Sequence, residues 1–438
     1  MFRVLETFSG IGSQAKALKN IRANFEIVAT SEWDIRTMIA YSFIHHGSLD
    51  LSKYREMTEE EVDNKIMQKT LTADGKTPIT EKSVKRLHIR LKKLALAAIE
   101  KTNNLGNIKD IDTKNIPLNL DLVTYSFPCQ DLSAAGFWHK NEGGIYRNAQ
   151  NRSSLLWEIE RILLDLEKKK RKMPKFLLME NVTNIASKKH IKDFEEWQKV
   201  LTEVLGYENH LYKLNANKFG IPQKRVRMYM ISVHCGKSKR KREIVRKFFK
   251  ENTLQIENNI RKRTDLKLED IIKLDYSNPI IRYEAELGNP NNTASRKKIW
   301  DSSFKIYENG KISNESIPTI TTKQDRFPNS GVIEYKPIDK SKSKFRYLTP
   351  RECFLLMGFE EKDYEAIKNN NELIAKGRHI FSNEKMIRFA GNSIVVNVLE
   401  NIIYKDTPEI YLKYEKNIYT INRNFCDQFH FLFRLFGF

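Results

Sequence analysis

The chain has 438 residues, 40% of them hydrophobic, and a formal net charge of +21. That length accommodates a large domain with a smaller companion. With no bilayer-length apolar run and no charged-then-apolar leader, a membrane or secreted protein is disfavoured and a cytoplasmic one is expected. The cationic excess favours salt-dependent binding to a polyanion. Drift in an AT-rich genome also inflates lysine, and charge alone does not separate DNA from RNA or an acidic partner. Cys129, Cys235, Cys353 and Cys426 are scattered, so neither a metal centre nor a disulfide framework is expected.

Residues 2–34 read as strand, glycine turn, helix, strand. Phe2, Val4 and Leu5 suit a buried parallel strand. Ser9-Gly10-Ile11-Gly12-Ser13 forms the turn, and Ala15, Ala17, Leu18 and Ile21 give the helix an apolar face before a second strand over 25–29. The alternation predicts an α/β fold with a doubly wound, mostly parallel sheet. Residues 48–105 interrupt the pattern as a polar, charged insertion. Within it, 81–101 reads as one helix with Val84, Leu87, Leu91, Leu94 and Ala98 along a stripe. Its basic face is read as solvated rather than DNA-bound.

The sheet resumes at 121–125 and ends in Phe127-Pro128-Cys129-Gln130. A helix over 154–164, a buried strand over 176–179, a helix over 193–205 closed by Gly206, and an alternating strand over 226–233 follow. At 234 the composition shifts: 237–250 reads KSKRKREIVRKFFK. The expected organisation is a first domain over 1–233, a smaller lobe over 234–344, a return to the first domain over 345–404, and an aromatic tail over 405–438 with no assigned role.

Several segments carry chemistry. A turn with Gly10 and Gly12 lets backbone approach a ligand, and the helix start behind it favours an anionic group. Glu32 lies about 20 residues on, at the offset where a carboxylate meets ribose hydroxyls, and Trp33 can stack on an adenine. A nicotinamide dinucleotide and S-adenosylmethionine both fit. The missing third glycine of the dinucleotide fingerprint favours S-adenosylmethionine. Cys129 follows a rigid proline at a strand end, beside polar loop residues and helix N-termini, a setting expected to lower a thiol pKa. A thiolate is what addition to carbon 6 of a pyrimidine needs; a lone cysteine is otherwise often just a small buried hydrophobe. Glu180 ends an apolar strand where open α/β sheets place ligands. Arg225 and Arg227, two residues apart, are expected on one face of a strand, to bind a phosphate or carbonyl oxygen or to join a salt-bridged face.

These segments, in this order, resemble the cytosine carbon-5 DNA methyltransferases. The matching motifs are Phe8-x-Gly10-x-Gly12, Glu32-Trp33, Phe127-Pro128-Cys129-Gln130, Glu180-Asn181-Val182, Gln223-x-Arg225-x-Arg227, Arg346-x-Leu348-Thr349-Pro350-Arg351-Glu352 and Gly391-Asn392-Ser393-Ile394. The insertion at 48–105 and the phrase over 126–133 further resemble enzymes of mollicute bacteria, some of which methylate CG sites. The resemblance implies that Cys129 attacks carbon 6 of a flipped-out cytosine, that Glu180 holds N3 and the exocyclic amine, and that Arg227 with Arg225 contacts O2. It implies S-adenosylmethionine as cofactor, with Phe8, Gly10, Ile11 and Gly12 at its methionine end. Glu32 would hold the ribose and Trp33 the adenine, with Asn107, Ile108, Pro128, Leu155, Asn392 and Ile394 completing the pocket. It implies double-stranded DNA as partner, a monomer paired or not with a restriction endonuclease, and a target-recognition role for 234–344, near whose end the Pro318–Thr322 phrase falls.

Two positions depart from the family pattern. Asn107 stands where an aspartate usually meets the adenine amine; its carbonyl can still accept that hydrogen bond. Glu6 replaces the aspartate that usually opens the first motif, which bears on the geometry of the methionine end. The alternatives are an RNA cytosine methyltransferase, disfavoured because the Cys-Phe-Thr phrase of the transfer-RNA branch is missing, and a silent DNA-binding relative, disfavoured by the intact Cys129, Glu180 and arginine pair.

Overall fold

The computed structural model describes residues 1–129, 131–132, 144–147 and 151–406. Gln130, Ser133, Cys426 and the aromatic tail lie outside the described residues. The strands of the main sheet are β1 (Phe2–Thr7), β2 (Phe25–Ser31), β3 (Leu122–Tyr125), β4 (Phe176–Val182), β5 (Tyr207–Asn215) and β7 (Val226–His234), with the short β6 (Gln223–Lys224) between the last two. Their order is β2-β1-β3-β4-β7-β5. β1 pairs in parallel with β2 and β3, and β3 with β4; β7 runs antiparallel to both β4 and β5. The expected doubly wound, mostly parallel sheet is present. β3 is buried along its whole length and β4 nearly so, which explains their unbroken apolar sequences.

The antiparallel β7 has a functional consequence. The carboxyl ends of β1, β3 and β4 share one rim, where the chain exits at Phe8, Ser126 and Val182. β7 begins at that rim, with Arg227 opposite Val182. Ligand-binding groups from four segments can therefore meet there.

The 48–105 stretch is built into the core. Its predicted single helix is two: Glu81–Val84, capped by Thr80, and Ile89–Lys101, capped by His88. The break falls where His88 adopts an extended backbone and its side chain accepts from the Arg90 amide, a local bond that competes with helix continuation. Leu91, Leu94, Ala95 and Ala98 are buried in the main core. The stretch also meets the sheet edge through Thr30–Asn104 and Asp34–Thr72 bridges. The other predicted helices appear as Leu156–Lys168 and Ile191–Lys199, the latter ending in a widened turn over Val200–Val204 before Gly206, whose φ of 75° stops it.

The basic helix Lys239–Glu251 leans on β5. Val245 and Phe249 are buried in the main core, and Phe249 stacks on His210 with ring centroids 4.5 Å apart. Beyond it lies a smaller sheet of β8 (Lys305–Glu308), β9 (Lys311–Ile312), β11 (Val332–Glu334) and β12 (Phe345–Arg346), in the order β12-β11-β8-β9. Trp300, Val332 and Phe345 form its own small core. β10 (Ile317–Pro318) leaves this lobe to pair with β6. In the Arg-x-Leu-Thr-Pro-Arg-Glu motif, Arg346 and Glu352 form a fully buried ion pair at 2.8 Å, and Glu352 completes a capping box with Thr349. Arg351 binds Glu284 at 2.9 Å. The motif is a clamp between lobes rather than a ligand site.

Candidate active site

A cavity of about 620 Å³ opens at the strand-end rim, and every residue predicted from sequence for the cofactor or the chemistry lines it except Gly12. The glycine turn forms one wall. Phe8, Gly10 and Gly12 all have positive φ, at 52°, 54° and 80°. At Phe8, a bulky residue, this is strain of the kind concentrated at binding sites. A Cβ on Gly10 would meet nothing within 4 Å, so its backbone lies open to a ligand. A Cβ on Gly12 would come within 2.2 Å of His45 Nε2. Gly12 thus faces the packing beneath the turn, not the cavity as expected.

Glu6 also lies beneath. It is fully buried, accepts from the Ala15 amide at 2.8 Å and from the Tyr41 hydroxyl at 2.6 Å, and is pushed up to about 7 by burial. Its longer stem anchors the helix behind the turn. Glu32 points the other way. Its carboxylate accepts from the amides of Gly10 (3.2 Å), Trp33 (2.9 Å) and Asp34 (2.9 Å), and burial, aided by Asp34, also pushes it up to about 7. Trp33, Ile108 and Leu155 supply apolar walls. Asn107 lines the cavity, and its Oδ1, which accepts from the Lys109 amide at 3.2 Å, has the capacity for a second donor.

At the other end stand Cys129, Glu180 and Arg227. The loop carrying Cys129 is pinned at Phe127 O by Asn181 Nδ2 (3.0 Å) and at Pro128 O by Ser153 Oγ (2.8 Å). Ser126 Oγ donates to Glu180 Oε2 at 2.5 Å, and Arg227 Nε lies 3.4 Å from Glu180 Oε1. Arg225 lines the cavity with Arg227 but lies outside either strand. It sits at the kink between β6 and β7, buried, and donates to the carbonyls of Ile320 (3.0 Å), Gly391 (3.1 Å) and Ser393 (2.9 Å). Burial, then Arg227, lowers its guanidinium to about 9. Its two Nη groups tie Ile320 to the Gly391–Ser393 turn, as a tether would.

Residues 92–406 match the family described as C-5 cytosine-specific DNA methylase. The chain belongs to that family. It is 33% identical over 413 residues to the orphan methyltransferase M.SssI of Spiroplasma monobiae, covering 92% of this chain and 96% of that one. It is 31% identical over 403 residues to the type II methyltransferase M2.ScrFI of Lactococcus lactis subsp. cremoris, covering 92% and 98%. Among solved structures, the Dnmt2 methyltransferase of S. pombe shares the fold, with a TM-score of 0.55 at 19% identity over 95% of this chain and 100% of that one. The protein is thus a DNA (cytosine-5-)-methyltransferase, and the fold is that of S-adenosylmethionine-dependent methyltransferases.

One electrostatic expectation fails. The Cys129 thiol of this methyltransferase is raised, not lowered: burial comes first, the Glu180 carboxylate second, and together they outweigh the pull of Arg227 and Arg225. Reading from sequence also missed Ser126, which orients Glu180, and Ser153, which holds the loop backbone. Both are short hydroxyl residues next to the motifs, and only their contacts single them out. It missed Gly75, Lys76, Pro78, Lys385 and Arg388 on the cavity wall as well, because the first three belong to the stretch set aside as an insertion.

Proposed function

We propose that this methyltransferase places a methyl group on carbon 5 of a cytosine flipped out of a specific double-stranded DNA sequence. The observation that carries this reading is a shared cavity: Cys129, Glu180 and Arg227 stand at one end, and the glycine turn with Glu32 and Trp33 at the other. A nucleoside with an amino-acid tail fits the second end. There, open backbone at Gly10, a carboxylate for ribose hydroxyls, apolar walls and the Asn392–Ile394 turn converge. When bound, S-adenosylmethionine supplies an electrophilic methyl group.

Carbon 6 of a stacked, paired cytosine is out of reach of Sγ, which requires the base to leave the helix. Cys129 adds to carbon 6 as thiolate, after losing its proton to solvent. Glu180, oriented by Ser126, accepts from the exocyclic amine and engages N3, while Arg227 donates toward O2. Sharing Glu180's charge with the ring lowers its repulsion of Sγ, so base entry itself favours the thiolate. The ring electrons this addition places on carbon 5 take up the methyl. Loss of the carbon-5 proton to solvent then expels the Cys129 thiolate and restores the aromatic ring. The lobe over 234–344 reads base edges in the groove while its cations position the backbone.

The test is labelled methyl transfer to duplex DNA or transfer RNA. Label in DNA alone supports the reading; label in RNA alone overturns the substrate, and DNA bound without label leaves a silent binder. A 5-fluorocytosine duplex of the cognate sequence, found by mapping methylation in an expressing host, should trap a covalent adduct at Cys129.

A further inference from the structure

The 48–105 stretch reaches the cavity through one tight turn. The Thr72 amide donates to Trp33 O at 2.8 Å and the Ile35 amide to Thr72 O at 3.0 Å, so the turn is stitched to the segment carrying Glu32 and Trp33. Inside it, the Asp74 carboxylate accepts from the amides of Lys76 (2.6 Å) and Thr77 (2.9 Å) and from the hydroxyls of Thr72 (2.9 Å) and Thr77 (3.0 Å). These bonds hold the Asp74 carboxyl far below the usual range. From the other side, Arg388 Nη1 donates to Asp74 O at 3.4 Å. The turn is thereby a fixed wall between the Trp33 segment and the Asn383–Asn392 helix.

The other charged groups of this wall are engaged, Asp74 and Arg388 as just described. Lys385 is paired with Asp34 at 2.5 Å, and Glu32 is satisfied by three amides. Lys76 lines the cavity, is exposed, and forms no ion pair among the described residues. An ammonium on a rigid turn at a ligand cavity, not paired with Asp74, whose carboxylate is taken up by amides and hydroxyls, suits an anion brought by the ligand.

We propose that Lys76 pairs with the carboxylate at the amino-acid end of the methyl donor, so that the 72–78 turn forms part of the cofactor site. This rests on the S-adenosylmethionine reading above. A DNA phosphate offers similar chemistry, and the experiment separates the two. Calorimetry on the full-length protein compares S-adenosylhomocysteine, which carries the carboxylate, with 5′-methylthioadenosine, which lacks it. Lys76→Ala is expected to weaken the first about fivefold, as an exposed ion pair allows, and to leave the second unchanged. Lys76→Arg restores most of the affinity, and unchanged melting temperatures exclude misfolding. Equal loss for both compounds, or loss for neither, overturns the proposal. So does weaker duplex binding without cofactor when S-adenosylhomocysteine affinity is unchanged, which assigns Lys76 to phosphate. Wild-type protein that binds neither compound overturns the methyl-donor reading itself.

Discussion

Arg227 stands opposite Val182 across the β4–β7 pair, two residues from Glu180 on the same face, and its Nε lies 3.4 Å from Glu180 Oε1. The antiparallel direction of β7 makes this possible, since it brings the start of that strand to the rim where β4 ends. The Glu180 carboxylate is thus held by a guanidinium on one side and by Ser126 on the other.

The two arginines should separate in experiment. Arg227→Ala removes the guanidinium proposed to meet O2 of the base, so turnover should fall about 100-fold with little change in melting temperature. Arg225→Met removes three charge-assisted bonds to carbonyls, at a cost of about 2–3 kcal/mol in stability. Melting curves and single-turnover rates check this; equal stability of the two variants would contradict the tether role.

A raised thiol is protonated at neutral pH. Alkylation of Cys129 by iodoacetamide should therefore be slow at pH 8 and accelerate only toward higher pH. Glu180→Gln removes the carboxylate that opposes the thiolate, so alkylation at pH 8 should be faster than in wild type although methylation falls. Cys129→Ser provides the control, expected to lose turnover while keeping duplex affinity.

Glu32 titrates near 7 instead of 4.5 because ionising it at the cavity is unfavourable. Its contribution to folding stability is complete below about 4.5 and is lost as pH climbs through about 7. Buried Glu6 behaves alike. In the proposed site ribose hydroxyls would donate to the ionised carboxylate, so S-adenosylhomocysteine affinity should rise with pH across 7. In Glu32→Gln it should be weaker and nearly flat. A wild-type slope retained in that variant would move the dependence to Glu6 or elsewhere.

Gly12→Ala should destabilise the protein by about 1–3 kcal/mol. Its φ of 80° disfavours a side chain, and the added methyl would overlap His45 and Tyr41. Gly10→Ala keeps the φ strain but enters open cavity, so its loss should appear chiefly in cofactor affinity.

The main sheet was legible because each buried strand is a short apolar run ending in a motif, as at Tyr125 before Cys129 and Met179 before Glu180. Environment was not legible. The sequence shows Cys129 at a strand end but not that Glu180 faces it, and periodicity shows Arg225 and Arg227 two apart but not the kink between β6 and β7. The wall at 72–78 escaped because it carries no periodic signal; its position follows from two amide bonds to the Trp33 segment. The break at His88 is a side-chain bond that competes with the helix over one residue, below the reach of an apolar stripe.

One guanidinium grips both Ile320, at the base of the smaller lobe, and the Gly391–Ser393 carbonyls flanking Asn392. Whatever settles that turn must also settle the lobe segment bonded to the same side chain. Cofactor and DNA should accordingly strengthen each other's binding by the same factor, since a coupling free energy has no preferred direction.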